Sequence, residues 1–191
     1  MKGAFTMPPK IKVTKENIIE TSINIVRKSG VNSLNARAIA KELNCSTQPI
    51  FSNYSSMEEL KKDVITSAKS LYDKYIEEGF KDPNYPPYKS SGMSYIKFAK
   101  EEKELFKLLF MRDRSNEKIE DDKSSLNDII NIISSNLGIS YDDAFNFHIL
   151  MWLYAHGIAT MIATSYLDWD WDTIDKMLTD AYVGMKNTYQ K

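Results

Sequence analysis

An all-α fold is predicted for this chain from three observations. Apolar residues recur every three or four positions through nearly every long segment, the spacing of one helical face. Capping residues precede these segments, and Gly, Asn or Pro follow them. No stretch alternates apolar and polar residues as a half-buried strand would. At 191 residues the chain suits one large domain, or a small one joined to a medium one. With 42% hydrophobic and 12% aromatic residues it can bury a core, so disorder is not the expectation.

The elements follow in order. Residues 1–13 read as a disordered N-terminal extension. Thr14 caps the first helix, Glu16 favours its first turn, and Ile18, Ile19, Ser22, Ile23 and Val26 form its buried stripe. Gly30 ends it as a left-handed C′ residue. Asn35 caps a second helix whose inner face is Ala36, Ile39, Ala40 and Leu43. Asn44 takes the left-handed conformation of a tight turn. Ser46 or Thr47 caps a third helix, with Pro49 in its first turn and with Ile50 and Phe51 facing the core. Ser56-x-x-Glu59 is a capping box that opens a fourth helix reaching about Glu78.

Three prolines break the chain between Asp82 and Tyr88. A helical stretch from Met93 to Arg112 follows, with a kink expected around Glu101–Glu104, and Asp113–Lys123 is a charged connector. Ser125–Leu137 is a short amphipathic helix closed by Gly138, and Ser140–Asp143 is a second capping box. The box opens the most apolar helix, which runs to about Tyr166. Asp170 or Asp172 caps a last helix with Ile174, Met177, Leu178, Ala181 and Met185 on one side.

Several function classes drop out. The apolar run Ile149–Ala163 contains His156 and Gly157 and is too short to span a bilayer, so no membrane partner is expected. A single cysteine rules out an intrachain disulfide framework and fits a reducing, cytoplasmic location. Cys45 reads as a small buried residue of the turn. His148 and His156 lie about 12 Å apart along a helix and cannot share a metal. Asp168, Asp170 and Asp172 lack the Gly and distal Glu of a calcium loop. No nucleophile elbow, zinc-protease helix or phosphate loop occurs. Neither a cofactor nor a metal is expected, and an all-α enzyme using His156 with an acidic partner is the weakest reading.

What remains is a charge asymmetry and one unusual short helix. Residues 1–56 hold eight basic and three acidic side chains, a net of +5; the remainder holds 17 basic and 23 acidic, a net of −6. A basic front on an acidic body suits a protein that offers one end to phosphates. The third helix carries Thr47, Gln48, Ser52, Asn53 and Tyr54, hydrogen-bonding groups rather than charged solubilisers. Gln48 can pair with the N6 and N7 edge of adenine, and Thr47 and Pro49 can meet a thymine methyl. Asn53 and Tyr54 suit phosphates, and Arg37 suits the backbone or groove edge. Asn35 both caps its helix and offers a helix N-terminus to a phosphate.

From the first helix to Leu60, the set Gly30-Val31, A-R-A-I-A-K-E-L-N-C-S-T and I-F-S-N-Y-S-S-M-E-E-L resembles the DNA-binding domain of the tetracycline-repressor (TetR) family. Ile39-Ala40 and the aromatic pair Phe51 and Tyr54 carry much of the likeness. Met57 stands where many members have Lys, Phe51 where Tyr is frequent, and Asn53 where His is common. The stretches Phe98–Phe110 and Trp152–Gly157 resemble a ligand-binding subgroup of that family. The resemblance implies a helix-turn-helix head at 14–56 and a ligand-binding, dimerising body at 57–191. It also implies a pseudo-palindromic double-stranded DNA operator, a small-molecule effector and a repressor that is not an enzyme. Asn35, Arg37, Thr47, Gln48, Pro49, Phe51, Ser52, Asn53 and Tyr54 would form the DNA surface.

In the body, the 140–166 helix is apolar nearly all round and must be covered on two sides. One cover is the domain's own helices. The other is a second subunit, giving a homodimer through the last two helices. Phe98, Phe106, Phe110, Met111, Met151, Trp152, Tyr154 and His156 are either ordinary core or the lining of an adaptable apolar pocket. A DNA-binding regulator with no small-molecule effector is the alternative, favoured by a closed core around Trp152.

Overall fold

The computed structural model describes residues 13–113, 115 and 123–189. Among the described residues there are helices and turns but no strand. They divide into two compact units, the first ending at Ser67 and the second starting at Ala68. All but the last residue of the expected extension over 1–13 and most of the 113–123 connector lie outside the described residues.

The first unit contains α1 (Lys15–Ser29), a 3-10 turn (Val31–Ser33), α2 (Ala36–Glu42), α3 (Gln48–Asn53) and the first half of α4 (Met57–Gly79). Thr14 caps α1: its hydroxyl accepts the Asn17 N–H at 3.2 Å, and the Asn17 side chain accepts the Thr14 N–H in return. Gly30 closes the helix at φ 74°, its N–H donating to the Val26 carbonyl at 2.8 Å. Ser22 is fully buried, and its hydroxyl donates to the Ile18 carbonyl at 2.7 Å, so the polar group is satisfied within the helix. Asn35 caps α2 by accepting the Ala38 N–H at 3.0 Å. Asn44 turns the chain at φ 50°, and the Cys45 N–H donates to the Ala40 carbonyl.

Ile18, Val26, Ile39, Ile50 and Leu60 are wholly buried and form this unit's core. Each contributes roughly 1.5–3 kcal/mol of burial free energy. Leu60 and Val64 belong to that core, so the unit runs past the 56–57 boundary expected from sequence. The start of α4 also differs in detail. Ser56 accepts the Glu59 N–H as expected, but the Glu59 carboxylate reaches to Ser55, taking its N–H at 2.8 Å and its hydroxyl at 2.6 Å.

The second unit holds the rest of α4, α5 (Pro87–Glu101), α6 (Lys103–Phe110), α7 (Lys123–Leu137), α8 (Tyr141–Ala163) and α9 (Trp171–Tyr189). The helix expected from Met93 starts earlier, because Pro87 sits in the first turn, where a missing N–H costs nothing. It breaks where a kink was expected, at Glu102 with φ −121° and ψ 49°. Gly138 ends α7 at φ 66°. Ser140 caps α8, its hydroxyl accepting the Asp143 N–H at 3.1 Å. α8 ends at Ala163, short of the expected Tyr166, because Ser165 turns the chain at φ 59°. Asp170, rather than Asp172, caps α9 by accepting the Thr173 N–H at 2.7 Å. Lys100 ties the α8–α9 link to α5 by donating to Asp168 and to the Trp169 carbonyl.

α5 packs along α8, and two tyrosine–histidine rungs join them. Tyr88 meets His148 at 3.3 Å, and Tyr95 meets His156 at 2.7 Å. Around Tyr95 the rings of Tyr72, Phe98, Phe106 and Phe110 pack edge-on or tilted, with centroids 5.0–6.0 Å apart. Phe147 does the same for α9, meeting Tyr182 and Tyr189.

Candidate functional site

The surface of α2 and α3 is where sequence reasoning expected nucleic-acid contact. α3 is a six-residue helix, Q-P-I-F-S-N, without a charged side chain. Ile50, wholly buried, anchors it to the core, so the remaining positions turn outward. Gln48 and Ser52 are exposed on α3, and Arg37 is exposed on α2. Thr47, Pro49 and Asn53 are half-buried. Thr47, one of the two residues expected there, occupies the N-cap position, but its side chain makes no capping bond. Its backbone is already helical there (φ −72°, ψ −13°), whereas a capping residue normally holds an extended backbone.

Three further side chains are already engaged. Ser52 donates to the Gln48 carbonyl at 2.9 Å, and Asn53 donates through Nδ2 to the Pro49 carbonyl at 2.8 Å. Asn35 is occupied in capping α2 and donates through Nδ2 to Ser33. Gln48 carries no such local bond among the described residues and presents a free amide.

The two aromatic positions exchange their expected places. Phe51, expected to face the core and also counted in the DNA surface, is 52% exposed, which leaves only the second place for it. Tyr54, expected to reach phosphates, is 2% exposed. Tyr54 follows the last turn of α3 with an extended backbone (φ −133°, ψ 132°), which swings its ring inward instead of continuing the helical face. Its hydroxyl donates to Asp63 at 3.1 Å, and the Lys15 ammonium lies 4.6 Å from the ring centroid. Burial, reinforced by the Asp63 carboxylate, pushes the phenol up to about 12. Tyr54 therefore braces α3 against α4 within the head, and Phe51 is the aromatic on the surface.

In the body, the residues proposed for an apolar pocket scatter. Phe98 and Phe106 are wholly buried and Met151 nearly so; Phe110, Tyr154 and His156 are half-buried; Met111 and Trp152 are exposed. Trp152 stacks on His156 with centroids 5.2 Å apart. None of the eight lines the cavity found in this unit. That cavity, of about 450 Å³, opens between the end of α4, α5 and the start of α9, over Gly79 and Ser94. Sequence reasoning missed it because a Gly, a Ser and several charged residues give no apolar stripe. Where the apolar pocket was expected, the rings of Tyr72, Tyr95, Phe98, Phe106 and Phe110 pack edge-on or tilted against one another.

Burial lowers the proton affinity of both imidazoles below the usual 6.5 and raises that of Tyr88 and Tyr95. With imidazole neutral and phenol protonated, each tyrosine donates to a histidine Nδ1 in the tautomer that keeps the ring proton on Nε2. The unfolded chain, whose histidines keep the ordinary value, therefore takes up protons first as pH falls. The stability contributed by the neutral rungs is complete above about pH 6.5 and is lost as pH drops below it toward the folded values. The melting temperature is expected to fall between pH 7.5 and 5.5, and less so in His148→Gln/His156→Gln. An equal fall in the double variant would remove the rungs as its cause.

No family model matches the chain, and no curated protein matches it. Solved structures do. A TetR-like transcriptional regulator from Rhodococcus sp. RHA1 aligns at TM-score 0.62 and 13% identity, over 95% of this chain and 96% of that one. A protein of unknown function, also from Rhodococcus sp. RHA1, aligns at TM-score 0.72 and 17% identity, over 97% and 100%. A putative TetR-family regulator from Vibrio parahaemolyticus aligns at TM-score 0.62 and 14% identity, over 89% and 97%. The likeness in fold extends over head and body alike: this chain has the all-α fold of the TetR-like regulators.

Proposed function

We propose that the chain is a DNA-binding transcriptional regulator, not an enzyme, acting as a repressor that leaves its operator when a small molecule binds the body. The observation that carries the DNA-binding reading is α3. An uncharged helix with an exposed, uncommitted Gln48 follows a tight turn from α2, and Arg37 is exposed nearby in sequence on α2. Two such heads, held by a dimer, would enter successive major grooves about 34–36 Å apart on a pseudo-palindromic operator. No helix among the described residues is long and apolar enough to cross a membrane, and a cytoplasmic location suits a DNA ligand.

The dimer reading gains support from α8. Leu150, Leu153 and Met161 are 43%, 51% and 43% exposed. With Gly157 between them they form one stripe at helical spacing, a costly surface to leave in water. The outward side of α9 is more polar, with Lys176 and Asp180 paired and Val183 exposed beside them. The self-complementary patch of a two-fold dimer would therefore centre on α8, with α9 at its rim.

Effector release works by population shift: the ligand must bind more tightly to the body conformation whose heads no longer match the operator. The closed packing of Phe98 and Phe106 favours the second reading, a regulator without an effector, as far as that aromatic core is concerned. Selection of bound fragments from the organism's own genome would supply operators. On these, Gln48→Ala is expected to cost about 1–3 kcal/mol and to relax preference at one base pair. Ser52→Ala, whose hydroxyl is spent on the helix backbone, is expected to do much less. Unchanged affinity of Gln48→Ala for every selected fragment would sink the assignment of α3.

A further inference from the structure

We propose that the cavity between the end of α4, α5 and the start of α9 is a binding site for a small organic cation, an ammonium group on an apolar body. Its volume, about 450 Å³, lies in the range of small-molecule sites. Three carboxylates line it, Glu78, Asp82 and Glu101, together with one ammonium, Lys97; two more ammonium groups, Lys89 and Lys100, lie over lining rings but are paired with Asp175 and Asp168. The Glu78 side chain has no partner among the described residues. Asp82 accepts through Oδ1 from Asn84, and Glu101 accepts from the Tyr75 hydroxyl at 2.8 Å. Each of these carboxylates keeps acceptor capacity for a ligand.

Three aromatic rings complete the lining: Tyr75, Tyr85 and Trp171. Each already attracts an ammonium. Lys97 lies 5.9 Å from the Tyr75 centroid, Lys89 5.0 Å from Tyr85 and Lys100 5.6 Å from Trp171. Ring faces and carboxylates together make an environment that selects positive charge. Ser94 adds a polar atom at the floor. Its side chain is 6% exposed and has no hydrogen-bond partner among the described residues. Its hydroxyl oxygen would stand 1.8 Å from a Cβ on Gly79, so only a glycine there lets α5 come this close to the end of α4 beside the cavity. An ammonium N–H would satisfy that oxygen.

An inorganic cation fits less well. Among the described residues no three His, Cys, Asp or Glu side chains come together as a metal-binding group. The carboxylates stand around the cavity rather than converging on a point, as suits a ligand with its own volume. Three tethered cations compete for the rings, and Lys97 is the one whose ammonium is part of the lining and holds no salt bridge among the described residues. The proposal gives the effector of the regulator a chemical class and rests on that reading for its consequence, while the binding itself does not require it.

The test is calorimetric titration of the full chain, without DNA, using 2-phenylethylammonium, with 2-phenylethanol and 3-phenylpropionate as neutral and anionic counterparts. Saturable binding of the ammonium is expected, roughly tenfold or more tighter than either counterpart. Glu78→Gln and Glu101→Gln should each weaken it by roughly two- to fivefold, the range of a partly exposed charge pair. Lys97→Met should strengthen it, a direction opposite to that expected of an anion site. Both outer positions are exposed, so these variants keep the fold. Binding of 3-phenylpropionate as tight as the ammonium, weakening by Lys97→Met, or no saturable heat at millimolar ligand would overturn the proposal. A parallel operator titration separates the two readings: ammonium binding that leaves DNA affinity unchanged keeps the site and removes its role as an effector site.

Discussion

Leu153→Arg is expected to yield a folded monomer whose affinity for a two-site operator falls by roughly 10²–10⁴-fold, the scale lost when two linked contacts become independent. Leu153 is half-exposed at the middle of the α8 stripe, so the substitution removes nothing from the core and places a charge on the proposed two-fold axis. Sedimentation equilibrium at micromolar concentration reads the assembly, and gel shift reads the affinity. A variant that stays dimeric, or a wild type already monomeric there, would refute the α8 interface. Gly157 offers a finer probe. A Cβ built on it meets nothing within 4 Å, so in an isolated subunit Gly157→Ala should stabilise the helix by about 1 kcal/mol. If a partner helix lies close against the glycine, the same change should weaken association instead. The sign of its effect on the dissociation constant thus reports how closely the helices approach.

Phe106→Ala is expected to cost about 3–5 kcal/mol of folding stability. Its ring is wholly buried and meets Tyr95, Phe110 and His156 at centroid distances of 5.6, 5.0 and 5.9 Å. Truncation opens a void that no flexible neighbour can fill, because the surrounding rings are rigid. Met111→Ala, one residue beyond α6 and 42% exposed, should change stability by no more than about 0.5 kcal/mol. Urea midpoints of the two variants provide the comparison. Similar small losses would mean the aromatic cluster is loosely packed, reopening it as a ligand pocket.

These residues show how far local pattern reaches. Caps are local, so Thr14, Asn35 and Ser140 could be assigned from neighbours three residues away, while Asp170 and Asp172 stayed equivalent until the structure chose Asp170. The stripe Ile18, Ile23, Val26 is likewise periodic and was legible. Tyr54 was not, because it lies beyond the end of α3, where helical phase no longer applies. Its partners, Lys15 and Asp63, sit on two other helices. Phe51 was misplaced by the same error in reverse: in a helix of six residues one buried anchor, Ile50, suffices, and the next position turns out to solvent. α8 defeated periodicity differently. Its apolar residues surround the axis, so only packing decides that Phe147, Met151 and Ile158 go inward while Leu150, Leu153 and Met161 do not. The cavity is the least legible feature, since its floor is a Gly and a Ser and its walls carry charge.

The placement of the indoles has one more consequence. The chain has three tryptophans, Trp152, Trp169 and Trp171, and all belong to the second unit. The head has none. Trp171 borders the cavity, and Trp152 stacks on a titrating imidazole. Tryptophan emission, excited beyond the tyrosine band, is therefore a built-in dye for the body alone, sensitive to cavity filling and to proton uptake while blind to the head. A fluorophore on Cys45 in the α2–α3 turn would be the complementary label, since it is the single thiol of the chain. Two colours would then follow ligand and DNA in one cuvette.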